Sequence, residues 1–88
     1  MNIKKSDFVK AQVHIPISPG EALKMLRELQ GLSQNDLAKL TEINQSNISA
    51  FENNTRQMGR ESALVFAKTL RVHPAAILFP DFDINKVA

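Results

Sequence analysis

Eighty-eight residues, 43% of them hydrophobic, fill one domain around one core, and because the aromatic residues are five Phe alone, that core is expected to be Leu, Ile, Val and Ala. The chain has no cysteine, which excludes disulfides, thiol nucleophiles and Cys-ligated zinc. No apolar run approaches the roughly 20 residues of a membrane span, nor the apolar stretch of a secretory signal, so the expected location is cytoplasmic. The net charge is only +2, and residues 18–60 hold five side chains of each sign, which excludes a broad basic field for tight non-specific binding to polyanions.

In chain order, residues 9–17 alternate. Val9, Ala11, Val13, Ile15 and Ile17 are apolar, with Lys10, Gln12, His14 and Pro16 between them, a strand signal at period two. Pro16 points to an edge or an end. No second strand in the chain offers itself as a partner. The first helical signal follows at Ser18-Pro19-Gly20-Glu21, a capping box with proline at the first helical position. Ala22, Leu23, Leu26 and Leu29 are expected to form its apolar stripe, with Met25 beside it and Gly31 as the stop.

Ser33, with Asp36 three positions on, opens a second helix with Leu37, Ala38 and Leu40 facing inward. Glu42-Ile43-Asn44 is the turn, and Asn44 caps a third helix running to about Asn53, with Ile48 and Phe51 on one face. A fourth helix is expected over about Arg60–Leu70, burying Ala63, Leu64, Ala67 and Leu70. His73-Pro74 opens a short fifth with Ala76, Ile77 and Leu78, and Pro80 ends it. The predicted division is an arm or strand over 1–17, a helical domain over 18–79 and a tail over 80–88.

The function-bearing stretch is Leu32–Asn54, LSQNDLAKLTEINQSNISAFENN. It reads as two amphipathic helices with a tight turn between them. Ala38 is expected where they cross, and Ile43, Ile48 and Phe51 lock the pair. Its plain alternative is an ordinary helical hairpin in a small all-α domain. Against that stands the outward face of the third helix: Gln45, Ser46, Asn47, Ser49 and Ala50 carry no charge, whereas a merely solvated face favours Lys and Glu. Short amides and hydroxyls suit the donor and acceptor pattern of major-groove base edges.

On these residues the segment resembles the helix-turn-helix of the Cro/C1-type (Xre) family, over residues 18–79. The resemblance implies an all-α, five-helix, lambda-repressor-like DNA-binding domain whose third helix enters the major groove. It implies base contacts from Gln45, Ser46, Asn47, Ser49 and Ala50, with Gln45 on an adenine edge and Ala50 on a thymine methyl. It implies phosphate contacts from Gln34, which also braces Gln45, and from Asn53, Arg56 and Arg60. Arg27 and Glu52 match a structural salt bridge between the first and third helices. The chain departs from the family at Glu42 and Asn54, where glycine is usual. A left-handed backbone at Glu42 would cost on the order of 1 kcal/mol, whereas Asn tolerates positive φ.

The resemblance also implies a homodimer on palindromic double-stranded DNA. The candidate dimer or partner surfaces are Val9, Val13 and Ile15 in the strand, and Pro74, Ile77, Leu78 and Phe79 around the fifth helix. The opening ISPGEALKMLRELQGLSQ and the later VHPAAILFPDF resemble HigA-type antitoxins of type II toxin–antitoxin modules. That subgroup implies a repressor of its own operon that neutralises a small basic ribonuclease toxin of the RelE type. The alternatives are a stand-alone phage-type or chromosomal repressor, and a protein-interaction module that no longer binds DNA. His14 and His73 lie far apart with no acidic companions, and nothing resembles a nucleophile–base pair or a phosphate-cradling glycine loop. No metal, cofactor or enzymatic activity is expected. Three matches to the glycosylation sequon, at Asn44, Asn47 and Asn53, are read as chance.

Overall fold

The computed structural model describes residues 17–81. They form five helices: α1 Pro19–Leu29, α2 Gln34–Thr41, α3 Gln45–Glu52, α4 Arg60–Leu70 and α5 Ala75–Leu78. The strand expected over 9–17, and with it Val9, Val13 and Ile15, lies outside the described residues apart from Ile17.

The helix starts follow from local chemistry. Ser18 and Glu21 form a reciprocal capping box at α1, the Glu21 amide donating to the Ser18 hydroxyl at 3.1 Å and the Ser18 amide to the Glu21 carboxylate at 3.0 Å. Ser33 and Asp36 repeat the device at α2, at 3.0 and 2.9 Å. At α3 the Asn44 side chain accepts from the Asn47 amide at 3.0 Å. His73 Nδ1 accepts from the Ala75 amide at 3.0 Å where α5 begins.

The ends are set by left-handed residues. Gly31, at φ 72°, lets the Leu32 amide reach back to the Arg27 carbonyl and its own amide to the Glu28 carbonyl, the paired bonds of a Schellman stop. Arg71, at φ 60°, does the same for α4, with the Val72 amide on the Ala67 carbonyl. Glu42 closes α2 at φ 63°.

Leu23, Leu37, Ile48, Phe51, Met58, Ala63, Phe66, Ala67, Leu70 and Ile77 form one core. Phe51 and Phe66 meet edge to face at its centre, with ring centroids 5.7 Å apart. Three inward expectations are corrected. Leu29 is 79% exposed, Leu40 60% and Leu64 49%. In α4 the buried stripe runs Ala63, Phe66, Ala67, Leu70, an unbroken i, i+3, i+4, i+7 face that leaves Leu64 beside it. In α1 the buried position after Leu23 is Arg27, one turn on, so the stripe leaves Leu29 in solvent. Ile77 is also corrected as a dimer residue: it is wholly buried in this chain's own core and unavailable to a second chain. Leu78 is half-buried and Phe79 exposed.

Gly20 positions α1 on α3. A Cβ there would overlap the Phe51 carbonyl oxygen and crowd the Asn54 side chain and the Glu52 carbonyl. The two backbones therefore meet with nothing between them.

Candidate nucleic-acid interface

The bihelical unit α2–α3 is fixed from both sides. On its inner side Ile48 and Phe51 are buried, and Ala38 and Ile43 pack half-buried against the core. In the turn, the Thr41 hydroxyl donates to the Leu37 carbonyl at 2.7 Å and accepts from the Ile43 amide at 3.2 Å. Between them stands Glu42 in the left-handed conformation.

The outer side of α3 is the face of interest. Gln45 and Ser46 are exposed, while Ser49 and Ala50, one turn further on, are half-buried. The helical period carries Asn53 onto the same side, where its amide donates to the Ser49 hydroxyl at 3.3 Å. Ser46 donates to the Asn44 cap at 3.0 Å. Asn47 is half-buried, as Ser49 and Ala50 are; it stands one turn before the buried Phe51 and gives its backbone amide to the cap. No charged side chain interrupts the row from Gln45 to Ala50.

Arg56, on the segment that follows α3, and Arg60, the first residue of α4, are exposed. The Arg56 guanidinium lies 5.0 Å from the centroid of the Phe51 ring, and the Thr55 and Arg56 amides both donate to the Ala50 carbonyl, at 3.0 and 3.1 Å. The loop is thus folded back onto the end of α3, with Asn54 left-handed at φ 62° and its amide on the Ser18 hydroxyl at 3.0 Å.

Beneath the face runs a line of polar contacts. Arg27 and Glu52 pair in the interior through two bonds, Nε to Oε2 at 2.7 Å and Nη2 to Oε1 at 3.0 Å. Arg27 Nη1 donates to the Leu32 carbonyl at 2.8 Å. Gln34 donates to Glu52 Oε1 at 2.9 Å and accepts from Gln45 Nε2 at 2.5 Å. Hydrogen bonding to Glu52 raises the Arg27 pKa above its ordinary value, against the desolvation that lowers it.

Over residues 23–77 the sequence matches the profile of a helix-turn-helix family, HTH_3. The protein belongs to this Cro/C1-type helix-turn-helix family. Its fold is similar to that of the P22 c2 repressor, whose crystal structure contains a synthetic operator. The identity is 24% and the TM-score 0.65, over 70% of this chain and 94% of that one. It is also similar to the restriction-modification controller protein C.AhdI from Aeromonas hydrophila, at 28% identity and a TM-score of 0.66, over 77% of this chain and 98% of that one. Among curated proteins none matches the chain.

Within this helix-turn-helix protein, three features were not drawn from the sequence. The approach at Gly20 was missed because a capping box already accounted for its neighbourhood, although a glycine inside the first turn of a helix is itself a signal. Met58, in a loop with no period, is buried. The bond from Gln34 to Glu52 joins residues 18 positions apart and has no local signature. Among the described residues no group of acidic, His or Cys side chains is placed to hold a metal, and no helix is long and apolar enough to cross a membrane.

Proposed function

We propose that this protein is a sequence-specific DNA-binding transcriptional regulator that reads the major groove with α3. The observation that carries the reading is the uncharged row Gln45, Ser46, Ser49 and Ala50, presented outward on a helix anchored by Ile48, Phe51 and Glu52. Gln45 and Ser46 supply base-edge hydrogen bonds, and Ala50 supplies an apolar contact suited to a thymine methyl. Gln34, Asn53, Arg56 and Arg60 flank the row and supply phosphate contacts. With no broad basic field, affinity requires a second copy, hence a homodimer on a palindromic site. The P22 c2 structure, with its bound operator, supports the same use of the fold.

We further propose that the regulator is a repressor of the antitoxin kind, cytoplasmic, controlling its own operon and neutralising a small basic RelE-type toxin. Support comes from the ISPGEALKMLRELQGLSQ and VHPAAILFPDF segments and from Met25, Leu29 and Phe79, apolar side chains exposed among the described residues. A gel shift on the upstream DNA, wild type beside Gln45→Ala across a salt series, tests the first reading. A retarded band that weakens with salt and is selectively lost in Gln45→Ala is expected; no specific band from folded protein would refute it. Co-purification with the product of an adjoining reading frame tests the second. A toxic neighbour that is neither bound nor neutralised would leave a stand-alone repressor.

A further inference from the structure

Glu52 has a second partner beyond Arg27. Both of its oxygens are occupied by Arg27 nitrogens, and Oε1 also accepts from Gln34 Nε2 at 2.9 Å. An ionised carboxylate accepts and never donates. Gln34 must therefore turn its amide nitrogen inward, which leaves its Oε1 pointing toward α3. That oxygen can be satisfied only by a donor, and Gln45 provides it through Nε2. The outward end of Gln45 is thereby decided: a free Oε1 acceptor, and the second N–H of Nε2 as a donor.

We infer that the buried Glu52 carboxylate is a specificity-positioning residue, which fixes the polarity of the Gln45 amide through Gln34 and so selects adenine over guanine at the base pair Gln45 faces. The inference rests on the reading of α3 as the base-reading helix. Adenine presents one donor, N6–H, and one acceptor, N7, in the major groove; guanine presents two acceptors, N7 and O6. The amide as held matches adenine. Reversed, with Oε1 turned back toward Gln34, it would present both N–H groups outward and match guanine. An unconstrained glutamine can take either arrangement at the cost of a rotation about its last bond. Here Glu52 is 5% exposed and all the donors it meets are held within the protein, so the direction of the chain cannot reverse.

The test begins by selecting bound duplexes from a randomised pool with the wild-type protein. Affinities are then measured for the selected site and for its A·T to G·C replacement at each position. Two variants are compared. Gln34→Met removes the middle of the chain and leaves the ion pair untouched. Arg27→Met with Glu52→Gln removes both charges together and replaces the obligate acceptor by an amide that can face either way. Folding is checked independently by circular dichroism and melting.

The wild type is expected to prefer adenine at one symmetric position by about tenfold or more. In both folded variants that ratio should fall toward one, while preferences at the remaining positions persist. In the free wild-type protein, one Gln45 side-chain N–H should exchange slowly with solvent, and Gln34→Met should abolish the protection. Variants that fold, bind and keep the wild-type adenine ratio would overturn the inference and leave Glu52 a structural residue only. Selection of guanine at the Gln45 position would overturn it as well. No enrichment of any sequence by folded wild type would instead sink the base-reading premise, and the inference with it.

Discussion

Gly20 lies against the carbonyl oxygen of Phe51, so that α1 and α3 touch backbone to backbone. α3 is therefore held at a fixed distance from the helix that carries Arg27. A methyl group at Gly20 cannot be absorbed by a rotamer change, because the atoms it meets include main chain. Gly20→Ala is expected to cost about 3 kcal/mol or more, at the upper end of overpacking penalties. Gly59→Ala, whose Cβ would enter open space, serves as the comparison. Chemical denaturation of both decides it, and equal loss in the two would contradict the packing account.

Glu42 occupies a left-handed position at φ 63° without glycine's freedom. Relief of that strain in Glu42→Gly, less the extra freedom glycine gains in the unfolded chain, should stabilise the domain by about 0.5–1 kcal/mol. Glu42→Gln keeps the strain and removes the charge, and should leave the melting temperature nearly unchanged. A larger gain from Gln than from Gly would assign the effect to charge.

The Arg27–Glu52 pair is buried, and loss of one partner strands the other. Arg27→Met or Glu52→Met alone should cost about 3–5 kcal/mol. The double Met variant should recover most of that, since it removes both desolvation penalties together. A double-mutant cycle by denaturant melts measures the coupling; additive losses would mean that the pair contributes as two independent side chains.

The two capping boxes give the fold an acid limit. Hydrogen bonds, first from the Ser18 backbone and then from its side chain, hold the Glu21 carboxyl below its ordinary 4.5. The same two groups of Ser33 hold Asp36 below 3.8. A carboxyl whose pKa is lower folded than unfolded stabilises the fold at pH values above the unfolded pKa. That contribution is lost as pH falls from about 4.5 through the folded values. Stability should decline over that window, and Glu21→Gln with Asp36→Asn should flatten the decline. An unchanged acid slope in the double variant would place the sensitivity elsewhere.

Arg60 and Gln45 should fail in different ways on DNA. Arg60→Ala should weaken all sequences alike and lower the salt slope by about one. Gln45→Ala should leave the slope alone and relax preference at one position. Arg56→Ala should behave like Arg60→Ala on DNA and also lose the stacking on Phe51, about 0.5–1 kcal/mol of stability.

Much of this was legible in the chain. Ser18–Glu21, Ser33–Asp36 and Asn44 announced three helix starts, because capping is written within four residues. The ion pair and the Gln34–Gln45 brace were reached through family resemblance, and the structure brings both pairs together. What escaped was phase and long-range fit. In α4, Leu64 and Phe66 are both apolar, and Phe66 is the one that keeps the helical period of Ala63, Ala67 and Leu70 and meets Phe51 across the core. In α1 a charge, Arg27, takes the core position that hydrophobicity would have given to a leucine, because its counter-charge arrives from α3. The burial of Ile77 has no local signature, because a helix of four residues is too short to show a period.

Of the four left-handed positions among the described residues, only Gly31 is glycine; Glu42, Asn54 and Arg71 carry side chains there. Each of the two long ones costs on the order of 1 kcal/mol, and a small domain holds only about 5–15 in all. Together they raise the share of unfolded chains by more than about tenfold, and the unfolded chain is what cellular proteases consume. The left-handed stops at Glu42 and Arg71 thus narrow the margin by which the domain stays folded, and with it the margin against proteolysis.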